Sequence, residues 1–318
     1  MRAIVIKHPG GPDVLALEQR PRPQAGPGEV LIEVKAFGLN QAEVYFRQGK
    51  WGEVAEISGI ECVGLVADDP SGCLDRGQKV LAVVGGLGRS RNGSYAEYTV
   101  APASNVAAID SNLPWETLAA IPESYATAWA CLLGNLQLQP GQALLIRGAT
   151  SALGQAALQI AVHHGARVIA TTRNAERAAG LKERGAAEVW LDTPRDGQQF
   201  DAVLDLVGTT TILDSMALLR RGGRACLAGF LGGGAPLAQF EPVFQLPGGR
   251  HLSVFASALE LGTAEFPLDE IPFRAILEHV SHGHYQATPS RVFAMADIQA
   301  AHRLLESGQA NGKIVVHI

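Results

Sequence analysis

Gln142-Ala-Leu-Leu-Ile-Arg-Gly-Ala-Thr-Ser-Ala-Leu-Gly154, continued by a mostly apolar run to Gly165 and then by Arg167-Val-Ile-Ala-Thr-Thr172, is the stretch on which the fold turns. Ala143–Ile146 reads as a buried strand. The small residues after it allow a tight turn. A helix opens at about Ala152 and stops at Gly165, and Arg167–Ala170 is a second strand. A span of about 30 residues is the size of one parallel βαβ unit. Downstream the alternation continues: a helix over Ala175–Arg184 ending at Gly185, strands at Glu188–Leu191 and Phe200–Val207, a helix over Ile212–Leu219 and a strand over Arg224–Phe230. This order predicts an open, doubly wound parallel sheet.

The chain before this region has another texture. Up to about Ala120 it consists of short strands such as Arg2–Lys7 and Glu29–Ala36, separated by turns rich in proline and glycine (Arg20-Pro-Arg-Pro23, Gly26-Pro-Gly28). That half is β-rich, with the boundary expected between about residues 115 and 125. After Phe266 come a helix (Phe273–His282), a strand (Arg291–Met295), a helix (Asp297–Ser307) and a last strand (Lys313–Ile318), elements that suit a return to the first domain. Pattern alone leaves that return open; with it, the domains are 1–120 with 267–318, and 121–266.

At 318 residues the chain exceeds what one core usually covers, in keeping with two domains. Its composition, 47% hydrophobic and 18% charged, suits a folded α/β protein and excludes a disordered or fibrous one. A net charge of −5 leaves no basic footprint for nucleic acid and no attraction to anionic membranes. The N-terminus lacks a signal-peptide core and no stretch approaches the roughly 18 apolar residues of a membrane span, so a cytoplasmic protein is expected. Cys62, Cys73, Cys131 and Cys226 are scattered without C-x-x-C spacing, which points to reduced thiols.

The turn after the first parallel strand reads Ala149-x-Ser151-x-x-Gly154 in place of three glycines. Ala149 tightens the turn, Ser151 either crowds a phosphate or bonds it through its hydroxyl, and the helix opening with Ala152, Leu153 and Gly154 aims free N–H groups and its positive end at an anion. In strand–turn–helix–strand context this reads as a dinucleotide site, and an ordinary strand–helix turn is the plainer alternative. The second strand ends Thr171-Thr172-Arg173 with no acid to hold ribose hydroxyls, which favours a 2′-phosphate and so NADPH. Arg173 is the first candidate for that phosphate. Arg177, four residues on, is the second if both lie on one helical face, and either is otherwise a solvated charge. Val207-Gly208 and Gly229-Phe230 fall at strand ends, where such sheets present backbone to ligands.

Several further segments, in order and spacing, resemble the medium-chain dehydrogenase/reductase superfamily and its zinc-free quinone oxidoreductase branch over nearly the whole length. They are Gly38-Leu-Asn-Gln-Ala-Glu-Val-Tyr-Phe-Arg-Gln-Gly49, Ser58-Gly-Ile-Glu-Cys-Val-Gly-Leu-Val66, Gly93-Ser-Tyr-Ala-Glu-Tyr98, Ala301-His-Arg-Leu-Leu-Glu-Ser-Gly308 and Gly312-Lys-Ile-Val-Val316. The resemblance implies a Rossmann-type domain inserted into a β-rich GroES-like domain, and a homodimer paired through the edge of the cofactor sheet near Leu252–Ala258. It also implies that Asn40 meets the nicotinamide-ribose side of the cofactor, that Tyr45 faces the substrate to orient or protonate an oxyanion, and that Thr127 and Asn311 lie near the cofactor. The residues alone leave other roles open: a turn for Asn40 and Asn311, packing for Tyr45 and Thr127.

Where zinc enzymes of that superfamily place a first ligand stands Asn40, and their Gly-His-Glu has become Gly59-Ile-Glu61, so no metal is expected. His279, His282 and His284 gather at an expected helix end, where cationic side chains are common without any metal. Arg89 and Arg91 belong to a glycine-rich loop and read as solvated. Without a Lewis acid, hydride transfer from NADPH to a quinone or activated enone is more credible than alcohol oxidation. The competing expectations are an enoyl-thioester reductase and a non-catalytic NADPH-binding protein of crystallin or sensor type.

Overall fold

Apolar residues alternate along the N-terminal strands and fix which face each buries. β1 (Arg2–Ile6) and β2 (Leu15–Gln19) form an antiparallel pair. β3 (Glu29–Gly38) carries Val30, Ile32, Val34 and Ala36, all at most 1% exposed, and leads into helix α1 (Gln41–Arg47). β4 (Glu61–Asp68), β5 (Lys79–Val83), β6 (Tyr98–Pro102) and β7 (Val106–Ala108) follow, then α2 (Trp115–Leu118) and α3 (Pro122–Trp129), which runs on into a π-helical turn at Ala130–Asn135. The computed structural model describes residues 1–191 and 197–318. They divide into two compact units, Met1–Ala126 with Ala258–Ile318, and Thr127–Ser257.

The second unit is a six-stranded, wholly parallel sheet built from β8 (Ala143–Arg147), β9 (Arg167–Thr172), β10 (Glu188–Leu191), β11 (Phe200–Asp205), β12 (Leu219–Leu227) and β13 (His251–Val254). Its helices are α4 (Ala152–His163), α5 (Ala178–Glu183), α6 (Ile212–Ala217) and α7 (Pro242–Gln245). The strand order β10-β9-β8-β11-β12-β13 means that the chain winds one way from β8 and then the other from β11. The switch point therefore lies between β8 and β11, where such sheets open a crevice beyond their C-terminal ends. Leu145, Ile169, Trp190, Phe200 and Val203 fill the core on this sheet. β13 ends the order, and Leu252 and Val254 on it are 40% and 54% exposed.

The chain returns to the first unit through α8 (Ser257–Glu260), α9 (Phe273–Ser281), β14 (Arg291–Ala294), α10 (Ile298–Glu306) and β15 (Ile314–His317). Phe273, Ile276, Leu277 and Val280 recur at helical spacing on α9 and are buried together. β15 joins β3 antiparallel with Val315 opposite Gly38, which completes the sheet β14-β15-β3-β4-β5-β7, with β6 also on β3. The fold is thus α/β, a Rossmann-type parallel sheet inserted into a GroES-like antiparallel one. Among the described residues no helix is long and apolar enough to cross a membrane.

Three elements differ from the reading of the sequence. β11 stops at Asp205 instead of Val207, because the Asp205 carboxylate accepts the N–H groups of Val207 and Gly208 at 2.9 and 3.0 Å and turns the chain out of the ladder. β12 begins at Leu219, five residues early, since Leu219 pairs with Phe200 before residues 220–223 bulge and pairing resumes at Arg224. The helix expected over Ala175–Arg184 is a 3₁₀ turn, Ala175–Arg177, before α5. Asn174 starts that turn by accepting the Glu176 N–H at 2.9 Å.

Candidate functional site

Between β8 and α4 the backbone turns through Gly148, whose φ of 78° is left-handed. Ser151 is the N-cap of α4: its hydroxyl accepts the Gly154 N–H at 3.0 Å and donates to the Gly148 carbonyl at 2.9 Å. That hydroxyl shapes the loop from within, with its proton directed to Gly148. What the loop offers is backbone. The N–H groups of Ala152 and Leu153, in the first turn of a twelve-residue helix, have no intrahelical carbonyl to meet. A Cβ at Gly154 would lie 2.6 Å from the Gly148 oxygen and 2.7 Å from Ala149 Cα, so glycine lets the helix start this close to the turn. Ala149, fully buried, holds the turn to β9 through its N–H to the Thr171 carbonyl at 3.3 Å.

Two neighbouring strand ends surround this loop. At the end of β9, Thr172 is 5% exposed and its hydroxyl bonds within the bend to Asn174. Arg173 is exposed in that bend, outside any helix, so the four-residue spacing to Arg177 does not put the two on one helical face. Beyond β11 and β12 the chains keep pairing, with Leu231 N–H to the Leu206 carbonyl at 3.1 Å and Gly232 N–H to that of Val207 at 2.7 Å. Gly208 (φ 113°) and Gly229 make this possible; a Cβ on Gly229 would sit 2.6 Å from the Leu206 oxygen. Phe230 follows, half-buried. The whole rim is braced by Asp205, fully buried, which also accepts the hydroxyls of Thr211 and, at 2.6 Å, Ser215. Arg147, 6% exposed, bonds Ser215 and pairs with Asp214 at 2.5 Å. Thr127 is buried on α3, 1% exposed.

In the first unit Asn40 is the N-cap of α1, and its N–H donates to Glu43 Oε2 at 2.6 Å. Its side chain does more than cap. Nδ2 donates to Glu61 Oε1 at 2.8 Å, and Oδ1 accepts from Lys313 Nζ at 2.5 Å. Lys313 also forms an ion pair with Glu61. Glu43 and Glu61 are wholly buried and Lys313 is 5% exposed. Burial pushes the Glu43 carboxyl up to about 8, against the pull of Lys313 and of the Ile60 N–H, with Glu61 adding to the rise. One cation therefore serves two buried carboxyls, and Glu43 keeps its proton at neutral pH. Removing only one partner of the Glu61–Lys313 pair is expected to cost about 3–5 kcal/mol, because the other charge stays buried.

Tyr45 is half-buried on α1, and burial raises its phenol, which stays a proton donor at neutral pH. Asn311 is exposed in the turn before β15 with a left-handed φ of 48°, a conformation asparagine tolerates. Arg91 pairs with Glu29 at 2.7 Å. His279, in the last turn of α9, faces His284, just past its end, Nδ1 to Nδ1 at 3.3 Å. Glu43, Glu61, Lys313 and Asp205 were not among the residues singled out from the sequence. The first three lie within segments quoted for the family resemblance, Glu61 at the end of Gly59-Ile-Glu61, but no spacing in the chain shows that they meet.

Comparison with known proteins agrees with this architecture. Residues 165–316 match the family model of zinc-binding dehydrogenases, and residues 26–111 that of the alcohol dehydrogenase GroES-like domain. The quinone oxidoreductase of Rattus norvegicus is 27% identical over 250 residues, covering 73% of this chain and 74% of that protein. The squalestatin tetraketide synthase of Phoma sp. is 29% identical over 341 residues, covering 98% of this chain, which spans only 12% of that protein's length. A mycobacterial protein solved in complex with NADPH is 29% identical with a TM-score of 0.85, each chain covered to 100%.

The first of those family descriptions names zinc, and the side chains here do not fit it. Ile60 is hydrocarbon and 2% exposed, Asn40 has its amide oxygen on a lysine, and Glu61 is paired with that same lysine. Among the described residues no group of three or more His, Cys, Asp or Glu is placed to hold a metal ion.

Proposed function

Since the chain belongs to the medium-chain dehydrogenase/reductase superfamily, in its quinone oxidoreductase-like branch, we propose that it is an NADPH-dependent reductase that delivers a hydride to quinones or related activated enones without zinc. The observation that carries this reading is the rim of the parallel sheet: a backbone-only anion cradle at the start of α4, next to a β9 that ends in Thr172-Arg173 with no acid. When bound, NADPH supplies a hydride from its nicotinamide. The chain's own part is to hold and orient. Ala152 and Leu153 give N–H groups to the pyrophosphate, with Ala149, Ser151 and Gly154 keeping the turn tight. Arg173, in the bend after β9, meets the 2′-phosphate, and Arg177, in the turn that follows, is the second candidate. Val207, Gly208, Gly229 and Phe230 offer backbone at the switch point, and Thr127 and Asn311 complete the cofactor's surroundings. Tyr45, a phenol protonated at neutral pH, is the donor for an acceptor oxygen that gains an electron pair, and Asn40 meets the nicotinamide-ribose side of the cofactor.

The experiment is titration of the purified protein with NADPH and NADH, followed by NADPH oxidation with 1,4-benzoquinone and 9,10-phenanthrenequinone after exhaustive chelation. Selective NADPH binding with chelator-resistant turnover supports the reading, and binding without turnover across a broad acceptor panel overturns it in favour of a non-catalytic role. A second reading, enoyl-thioester reduction, draws on the near-complete coverage of this chain by a polyketide synthase segment. Faster turnover of crotonyl-CoA than of either quinone would favour it. We also infer a homodimer paired through β13, whose outer edge has no neighbour in the sheet among the described residues and whose Leu252 and Val254 are exposed. Light scattering should give twice the chain mass, falling to one chain mass in Val254→Lys.

A further inference from the structure

The amide of Asn40 is surrounded by side chains of fixed hydrogen-bonding polarity. Lys313 Nζ, which can only donate, lies 2.5 Å from Oδ1, and Glu61 Oε1, which when ionised can only accept, lies 2.8 Å from Nδ2. Glu43 Oε1 is 3.4 Å from the same nitrogen, a contact that a closer acceptor would displace. An isolated asparagine amide has two orientations, a half-turn apart, that differ little in energy. Here the flipped one would set NH₂ against an ammonium and a carbonyl against a carboxylate.

The surrounding fold holds this arrangement in place. Glu61 Oε2 accepts the Glu123 N–H at 2.7 Å, and the Glu61 carbonyl accepts the Ser94 hydroxyl at 2.6 Å. Gly38 leaves the space for the pair, since a Cβ there would collide with both Glu61 Oε1 and Lys313 Cε. Of the four polar side chains, Asn40 is the one that is not buried.

We propose that Lys313 and Glu61 are positioning residues for Asn40, locking its amide with Nδ2 as the available donor, so that the ligand group Asn40 recognises is an acceptor oxygen, a carbonyl or hydroxyl. This rests on the reading of the chain as a reductase whose cofactor or acceptor meets Asn40. The pair is best removed together, as Glu61→Gln with Lys313→Met, so that neither charge of the ion pair is left buried without its partner; Lys313→Arg keeps a cation as the conservative control. Asparagine side-chain amides are followed by ¹⁵N NMR, with Asn40 assigned by the signal lost in Asn40→Ser. Hydrogen exchange at Asn40 Nδ2 should be at least tenfold faster in the double variant than in the wild type and close to wild type in Lys313→Arg. kcat/KM for 9,10-phenanthrenequinone should fall at least tenfold in the first and recover to within threefold in the second. An Nδ2 proton should move downfield when NADPH or the quinone is added alone.

Unchanged exchange in the double variant overturns the positioning role whatever the activity does, and no shift with either ligand overturns the recognition of an oxygen. A wild-type protein without turnover on any acceptor overturns the reductase reading alone, and the exchange rates still judge the positioning.

Discussion

Arg173 stands exposed in the bend after β9, where a guanidinium reaches solvent and anything bound at the strand end. Arg173→Ala should weaken NADPH binding about tenfold or more while changing NADH binding less than twofold, because a charged hydrogen bond to phosphate contributes about 1.5–3 kcal/mol and only NADPH carries the extra phosphate. Fluorescence titration with both cofactors checks this, and equal losses would remove the arginine from the site. Residue roles were legible in the sequence where they follow from local chain geometry. The turn chemistry of Asn311 is of that kind, and so is the helix start after Ser151, whereas Arg91, read as solvated, pairs with Glu29 sixty-two residues away. The Asn40–Glu43–Glu61–Lys313 cluster was not, because β15 delivers Lys313 to β3 only through sheet pairing and no spacing in the chain records that meeting.

α4 owes its start to Ser151 and its end to Gly165, whose φ of 89° takes the chain out of the helix. Ser151→Ala removes the cap, with an expected loss of about 1 kcal/mol in unfolding by urea and a weaker grip on the anion, since the loop loses both bonds that shape it. Gly154→Val should act more strongly, by about 1–3 kcal/mol, because its side chain must displace backbone at Gly148 and Ala149. β8 and β11 were readable because their faces are covered and they appear as continuous apolar runs, while the exposed β13 was not read as a strand. Strand ends were less readable. The stop of β11 depends on a single carboxylate folding back on the next two N–H groups, and the early start of β12 on a bulge at a Gly-Gly pair. Both are decided by hydrogen bonds that hydrophobic periodicity does not register.

Stability across pH gathers contributions from groups scattered over the first unit. His302 is wholly buried against Tyr95, whose hydroxyl lies 3.1 Å from Nε2, and burial, with Arg47 nearby, lowers its imidazole from 6.5 to about 3. Its contribution is present above pH 6.5 and lost as pH falls toward 3, on the order of a few kcal/mol, because the unfolded chain takes up a proton that the native one refuses. Glu43 works in the opposite direction: with its carboxyl raised from 4.5 to about 8, its contribution is present below 4.5 and lost as pH rises toward 8. Urea midpoints measured from pH 4 to 9 should therefore lose part of their pH dependence below pH 6.5 in His302→Phe and between pH 4.5 and 8 in Glu43→Gln. An unaltered profile in either variant would dismiss that residue as a source. At this scale the α/β class was readable from the switch between short strands and βαβ units, whereas the insertion of one sheet within another came only from the family resemblance. The insertion also orders events at the ribosome. Thr127–Ser257 is contiguous and can fold as it emerges, whereas β3 must wait for β15, and Glu61 for Lys313, both made later in the chain. During that interval the nascent chain exposes a half-built antiparallel sheet whose buried acids still lack their cation, and for that stretch of synthesis it depends on whatever shields unfinished edges in the cell.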